Sequence, residues 1–461
     1  MKCLILAAGK GSRLAARGDS KPLVSFLGLT LIERAILAAQ SCGLTEFYIV
    51  IGCNGEKVRV FLDKFSREKN LNITHVINED WEKENGLSVL KAKELLDEKF
   101  ILMMVDHIFD RDILVKLTQQ QIQEGEVILA VDSNVNSNSL VDIDDVTKVH
   151  IEDGKILDIG KDVSEYNAFD TGFFLCSPSI FAAIETSIDR NNDSTLSGGI
   201  RILANAGAAR ALDISGNFWI DLDDEKALRK GEKCLLGKLK KPSDGPVSKH
   251  LNRSISISLT RCLVKTKISP NQISFLSFIL CVIASALFFE GGYPTLLAGA
   301  ILAQIASIID GCDGEIARLK FQTTDFGGWF DAVLDRYADG FLLFGLTYHV
   351  YLINSTFLHI TIGFLAIMGS FMNSYTADKY DGLRNGLLSK RIGSKGFSFR
   401  IGRDVRTLII FIGCLINQPL FILIWIGTIA NLENIRRIVV LSKVEKSSLL
   451  KKEPLYQNRV D

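Results

Sequence analysis

The chain changes character near its middle. Up to about residue 230, short apolar runs alternate with segments of helical spacing. Residues 3–8, 47–51, 100–105, 127–131 and 173–176 have the length and apolar density of buried strands. Between them, residues 30–42 and 86–96 repeat apolar positions at helical intervals. This alternation predicts an α/β layered domain around a mainly parallel sheet. After Gln272 the pattern becomes six apolar stretches, near 272–290, 294–312, 329–352, 356–376, 404–417 and 419–435. Each approaches the roughly 20 residues with which a helix crosses a bilayer, so an all-α, six-helix transmembrane domain is expected.

The join between the halves has its own signature. Residues 238–245 (KLKKPSDG) read as a linker, and from 246 to 267 the apolar residues Leu251, Ile255, Leu259 and Leu263 recur every four positions. That spacing predicts an amphipathic helix on the membrane surface, with Lys249, Arg253, Arg261 and Lys265 facing headgroups. The expected domains are thus 1–230, a linker and interfacial helix over 231–267, and 268–461. Lysine and arginine are missing from the turns at 291–294, 354–356 and 417–419. They collect on the other side, at Arg318 and Lys320, from Lys379 to Arg406, and at Arg436, Arg437 and Lys443. The positive-inside tendency then predicts a multi-pass cell-membrane protein with both termini in the cytoplasm. The apolar run after Met1-Lys2 is too short for a signal peptide, so the first domain is expected to stay cytoplasmic.

Composition narrows the choices. Net charge is zero, so no basic field points to nucleic acid. The nine cysteines contain no CxxC, which argues against a zinc ribbon or a disulfide framework.

Chemistry enters with the acidic residues of the apolar half. Asp310 and Asp313 are three apart and Asp331 and Asp335 four apart, so each pair shares one helix face. An aspartate at a span centre costs roughly 2.5–3.5 kcal/mol on insertion scales, which favours a polar cavity that binds cations. All-oxygen ligands suit Mg²⁺ or Mn²⁺ better than zinc. Gly314 and Gly327 leave room for a phosphate to approach the backbone, and Arg318 offers a fixed positive charge for a diphosphate. Asp339 lies deeper, with its role open. The basic connection from Lys379 to Arg406 includes Lys390, Arg391, Arg403 and Arg406, a set suited to clamping a phosphorylated acceptor.

The pattern Asp310-x-x-Asp313-Gly314-x-x-Ala317-Arg318, eight residues, Gly327-x-x-x-Asp331-x-x-x-Asp335 resembles the signature of the CDP-alcohol phosphotransferases at every defined position. Pro270-Asn271 is similar to the motif before that family's first span. The resemblance implies a six-helix, usually dimeric membrane fold, so a homodimer through this domain is expected. It implies that the four aspartates hold two divalent ions on the diphosphate of a CDP-linked alcohol, with Gly314, Ala317, Arg318 and Gly327 in the CDP-alcohol site. It also makes Asp335 the general base that deprotonates the acceptor hydroxyl before CMP leaves.

At the N-terminus, Leu6-Ala7-Ala8-Gly9-Lys10-Gly11-Ser12-Arg13 follows the first strand directly. Gly9 and Gly11 let backbone N–H groups wrap a triphosphate, and Arg13 adds charge. The spacing is neither GxGxxG nor a GKS/T P-loop. Together with Lys21-Pro22 it resembles the sugar-phosphate nucleotidyltransferases, which implies a Rossmann-like nucleotidyltransferase domain. By the same resemblance Gly86 and Ser88 read the pyrimidine, and Asp106 and Asp221 (the latter from Trp219-x-Asp221-x-Asp223) hold Mg²⁺. Asp170-Thr171-Gly172 lines the pocket for the phosphorylated substrate, with Lys161 reaching its phosphate, and Arg13 and Lys21 offset developing charge. Val105 stands where that family usually has glycine, and His107 receives no role.

The order of the halves is informative, because the second consumes a CDP-alcohol and the first can make an NDP-alcohol. It resembles the bifunctional inositol-1-phosphate cytidylyltransferase/di-myo-inositol phosphate phosphate synthase family. The implied partners are CTP, inositol-1-phosphate, CDP-inositol and the lipid bilayer. Two competing readings are a synthase with a lipid product and a transporter with a nucleotide-binding domain. Transporters commonly repeat their spans, and no repeat is visible here.

Overall fold

The structure is a computed structural model that describes residues 1–136, 138, 140–242, 244–385 and 402–450. It divides into two compact units, Met1–Gly237 and Lys238–Asp461.

The first unit is built on a nine-stranded mixed sheet. Its strands are β1 (Lys2–Ala7), β4 (Glu46–Ile51), β5 (Asn72–Ile77), β6 (Phe100–Met104), β8 (Val127–Asp132), β9 (Lys148–Glu152), β10 (Lys155–Gly160), β11 (Ala168–Cys176) and β12 (Ala209–Asp213). They lie in the order β5-β4-β1-β6-β11-β8-β12-β10-β9. β1 runs parallel to β4 and β6, with Leu4 opposite Tyr48 and Leu102, while β11 runs antiparallel between β6 and β8. Leu4 and Ile5 point to opposite faces yet are both fully buried, which is why β1 is an unbroken apolar run rather than an alternating one. The turn between β9 and β10 puts Asp153 and Gly154 at positive φ, as a tight Asp-Gly hairpin requires.

Two small ladders sit outside the main sheet. One joins β2 (Ser25–Phe26) to β3 (Leu29–Thr30), and buried Arg34 donates to the Phe26 and Leu27 carbonyls at 3.1 and 3.3 Å. The other joins β7 (His107–Phe109) to β13 (Trp219–Asp221). The helices of this unit are α1 (Leu31–Ser41), α2 (Gly55–Lys69), α3 (Asn85–Leu90), α4 (Arg111–Thr118), α5 (Ser179–Asn191), α6 (Leu196–Asn205) and α7 (Glu225–Gly237). A reciprocal Thr30–Glu33 capping box fixes the start of α1. The helix expected over 86–96 is shorter: α3 ends at Leu90, and only a single 3-10 turn follows at Lys93–Leu95.

The second unit is helical: α8 (Arg253–Leu263), α9 (Pro270–Phe288), α10 (Tyr293–Leu319), α11 (Asp325–Ile353), α12 (Phe357–Asn385), α13 (Arg403–Leu415) and α14 (Pro419–Leu450). Ser269 and Gln272 form the capping box of α9, with Pro270 in its first turn. Gly299 of α10 lies against the Ala284 carbonyl and the Phe288 ring, and Gly345 of α11 against Ser285, so both helices press closely on α9. Pro270–Phe288, Tyr293–Leu319 and Phe357–Lys379 are long and apolar enough to cross a membrane. Among the described residues, α11, α13 and α14 do not combine that length with that apolarity. α13 has 13 residues, while α11 and α14 interleave charges such as Asp331, Asp335, Glu433 and Arg437 with apolar positions. Large apolar side chains are exposed on α9 to α14, among them Phe275, Ile301, Phe344, Phe364, Ile412 and Phe421, an outer surface suited to hydrocarbon.

The interfacial helix needs a correction. Arg253 does not face outward. It pairs with Asp244 through two bonds of 2.9 Å and with Glu315 at 2.7 Å, while Leu251 and Ile255 are exposed. The reason is Glu315, completely buried on α10, which also accepts from Ser256 and Thr260 at 2.6 Å each. A buried carboxylate recruits the nearest cation and hydroxyls, so the polar face of α8 turns inward.

Arg253→Met leaves Glu315 buried without its counter-charge and is expected to destabilise the helical unit by about 3–5 kcal/mol. The double change Arg253→Met with Glu315→Leu is expected to recover most of that loss. Thermal unfolding of the detergent-solubilised protein reads both.

Candidate active sites

In the first unit the segment after β1 turns through Gly11, whose positive φ of 63° and close approach to the Lys21 side chain exclude a Cβ. Lys21 is buried beneath this turn, with its ammonium bonded to both Asp106 and Asp223. Asp106 ends the crossover from β6, and the antiparallel β7–β13 ladder sets Asp221 opposite His107. The Leu222 amide donates to the Asp106 carbonyl at 3.0 Å and fixes that register. Ligand atoms of Asp106, His107 and Asp221 consequently lie within 4.8 Å of one another.

The electrostatics follow from this crowding. Burial opposes the charge on Lys21, but Asp106, Asp221 and Asp223 outweigh it and raise its pKa. Burial would also raise Asp106, yet Lys21 and His107 hold it far below the usual carboxylate range. Burial and the neighbouring Asp106 push Asp221 up to about 7. His107 is raised to about 9 because Asp221, Asp106 and Asp170 overcome its burial. Its Nδ1 lies 2.9 Å from Asp106 Oδ1, and its ring stacks on Trp219 with centroids 6.2 Å apart. Asp170 is raised to about 6, chiefly by burial, and accepts the Gly172 amide at 2.7 Å.

These groups edge a cleft of about 940 Å³. Of the residues singled out in the sequence, Leu6, Ala8, Gly9, Arg13, Ser88, Asp106, Lys161, Asp170 and Asp221 line it. Ala7, Gly11, Ser12, Lys21 and Gly86 are not among the residues that line it. Gly86 is pressed against the backbone of Ser194 and Thr195, and Ser88 accepts from Asn78 Nδ2 at 2.9 Å. Arg13 and Lys161 meet at Asp145, at 2.5 and 2.6 Å.

In the second unit, donor oxygens of Asp310, Asp331 and Asp335 lie within 4.8 Å of one another. Asp313 stands just outside this trio: it accepts from Ser274 Oγ and from the Gly314 amide. Ser277 Oγ donates to Asp310 at 3.1 Å. Arg403, at the start of α13, bridges Asp310 at 2.9 Å and Asp335. Arg406 is buried and paired with Asp339, so its charge is matched inside the protein. Gly314 faces Arg318, whose Nη2 donates to the Leu239 carbonyl at 3.4 Å; Ala317 is buried, and the Gly327 amide bonds the Thr324 hydroxyl at 3.0 Å. Lys390 and Arg391 lie outside the described residues.

Both clusters fit a divalent cation by their donor chemistry. Asp221 Oδ1 and Asp331 Oδ1 are buried without a hydrogen-bond partner, one oxygen left over in each cluster. The all-carboxylate set of the helical unit suits a hard ion.

Comparison with known proteins agrees with this division of labour. The MobA-like NTP transferase domain matches residues 3–190, and the CDP-alcohol phosphatidyltransferase family matches residues 267–431. A Rubrobacter xylanophilus protein named bifunctional IPC transferase and DIPP synthase is 35% identical over 449 residues, covering 95% of this chain and 96% of its own. The chain belongs to this bifunctional family. Its members from Aquifex aeolicus (35% identical over 82% of this chain and 84% of theirs) and Archaeoglobus fulgidus (33% over 95% and 84%) carry the same name. The first unit is therefore a nucleotidyltransferase-like domain. The second is a membrane-associated CDP-alcohol phosphotransferase domain, both of families that use divalent ions.

Within this bifunctional fold, some groups at the clusters gave no usable signal in sequence. His107 was visible only as the neighbour of Asp106, and its contact with the cluster arises from the β7–β13 ladder. Ser274 and Ser277 look like ordinary small residues of an apolar helix until α9 packs against α10. Asp145 lies in a loop with no motif at all.

Titration with Mn²⁺, followed by electron paramagnetic resonance of the free ion, is expected to reveal two classes of site. Asp221→Asn weakens one class and Asp335→Asn the other, each by roughly ten- to a hundredfold.

Proposed function

We propose that this chain makes CDP-inositol from CTP and inositol-1-phosphate, then transfers phosphoinositol from CDP-inositol to a second inositol-1-phosphate. The products are di-myo-inositol phosphate phosphate, CMP and pyrophosphate. The observation that carries this reading is near-full-length similarity to IPC transferase/DIPP synthases in a chain whose two units each hold a carboxylate cluster fit for a cation. Mg²⁺, or Mn²⁺, is the proposed ion in both units. When bound, it supplies Lewis-acid polarisation and alignment of the reacting phosphates.

In the first reaction, a phosphate oxygen of inositol-1-phosphate attacks the α-phosphorus of CTP, and the bond to pyrophosphate breaks. Amides of the loop from Leu6 to Ser12 cradle the triphosphate, with Gly86 and Ser88 beside the pyrimidine. Arg13 and Lys21 offset the charge that grows on the leaving group. Asp106 and Asp221 hold the ion, and Lys161 and Asp170 orient the inositol phosphate. In the second, Asp335 takes the proton of the acceptor hydroxyl, whose oxygen attacks the phosphorus next to the donated inositol, and CMP leaves. Asp310, Asp313 and Asp331 share the ions with Asp335. Gly314, Ala317, Arg318 and Gly327 receive the CDP-alcohol, and Lys390, Arg391 and Arg403 form the acceptor clamp, while Arg406 is committed to Asp339.

The proposed architecture divides the chain at 1–230, 231–267 and 268–461, with six spans and both termini cytoplasmic. It is a homodimer through the helical domain. A second reading, transfer to a lipid alcohol, is favoured by an apolar groove of about 530 Å³ lined by Phe275, Ile279, Phe326 and Phe330.

Membranes incubated with CTP, Mg²⁺ and inositol-1-phosphate are expected to yield the phosphodiester product by ³¹P NMR without any lipid acceptor. Product formation only after a lipid alcohol is added would replace this reading with the second. Asp335→Asn is expected to abolish CMP release and spare pyrophosphate release, and Lys21→Ala to do the reverse when CDP-inositol is supplied. Loss of both steps in either folded variant would end the two-site model.

A further inference from the structure

Asp145 holds together two cations that come from separate segments lining the cleft. Its Oδ2 accepts from Arg13 Nη1 at 2.5 Å, and its Oδ1 accepts from Lys161 Nζ at 2.6 Å. Arg13 belongs to the loop after β1, whereas Lys161 follows β10. Local bonds set the carboxylate in place. The Asp142 carbonyl accepts the amides of Asp145 and Val146 at 3.2 and 2.9 Å, and the Asp142 side chain accepts that of Asp144 at 3.2 Å. The next residue, Thr147, accepts the Asp170 amide at 2.9 Å, which ties this turn to β11 at the cleft wall. The arrangement is a carboxylate on a pinned turn, aimed at the two basic side chains assigned above to substrate phosphates.

We infer that Asp145 is a positioning and selectivity residue, an internal stand-in for the substrate phosphates, to which it yields Arg13 and Lys161 when they bind. The inference rests on the proposed function, which gives Arg13 and Lys161 to phosphate-bearing ligands. Two features make the exchange feasible. Arg13 and Lys161 are 58% and 60% exposed, and ion pairs so open to water are weak and readily exchanged. A carboxylate brings one negative charge on two oxygens, whereas a phosphate monoester brings up to two on three, so the dianion is the stronger partner for both cations. Weakly charged or neutral polyols lack the means to displace Asp145. The two hydrogen bonds hold the Asp145 carboxyl down at about 2, so the competitor stays charged across the physiological range. Asp145 thus places the cations at phosphate-binding separation and sets the charge a ligand needs to claim them.

The test compares full-length wild type, Asp145→Asn and Asp145→Glu in detergent. Removing the competing charge is expected to lower the KM for inositol-1-phosphate roughly three- to tenfold, with kcat for pyrophosphate release within about twofold. Inhibition by inorganic phosphate should strengthen by a similar factor, and Asp145→Glu should behave like wild type. A purely structural brace predicts the opposite: KM and phosphate inhibition unchanged or weakened in Asp145→Asn, an outcome that overturns the inference. Calorimetric titration with pyrophosphate separates this result from the functional reading. If wild type fails to turn over CTP with inositol-1-phosphate, the functional reading falls. Tighter pyrophosphate binding by Asp145→Asn would still support the stand-in role, and equal or weaker binding would end it.

Discussion

Both sites depend on keeping several carboxylates together where water is scarce. Two like charges 4 Å apart repel by about 4 kcal/mol at the effective dielectric of a protein surface. Such a cluster survives only with positive charge among its members. The first unit supplies Lys21, which touches Asp106 and Asp223. The second supplies Arg403, which bridges Asp310 and Asp335. One solution thus recurs on two unrelated folds: a buried basic side chain balances the acids without using all of their oxygens. The lone oxygens of Asp221 and Asp331 are what remains for a metal.

The helical unit extends the same economy of charge through its interior. Glu315 is matched by Arg253, Asp339 by Arg406, and Glu433 by Arg436 and Arg437. The acidic member of each pair is buried, and Arg436 alone of the four arginines is exposed, while the outer faces of the long helices carry Phe275, Phe344, Phe364 and their neighbours. An outer surface rich in large apolar side chains, with ion pairs around buried acids, reverses the usual plan of a water-soluble bundle.

Much of this was legible in the sequence because it rests on spacing. Intervals of three and four put Asp310 and Asp331 with Asp335 on facing stripes of α10 and α11, and the apolar runs located β1, β4, β6 and β8 closely. Where partners come from far along the chain, spacing says little. Arg253 turns inward because of Glu315, an unspecified position of the motif, and no periodicity within α8 reports a carboxylate some sixty residues away. The sheet is more mixed than strand-and-helix alternation implied, since β11 enters antiparallel between β6 and β8. Of six apolar stretches, three become helices long and apolar enough to cross a bilayer by themselves. Among the described residues the cluster draws on both kinds, with Asp310 on one of these three and Asp331 and Asp335 on the more charged α11.

The β7–β13 ladder has a consequence of its own. Three residue pairs hold it, and side chains alternate across it, so sliding either strand by one position would present Ile220 where Asp221 now stands. No intermediate alignment exists. The short stretch between β12 and β13 is therefore constrained in length as well as at buried Ile214 and at Gly216, which sits at positive φ, and the spacing that leads into Trp219 is as much a part of the cluster as the acids themselves.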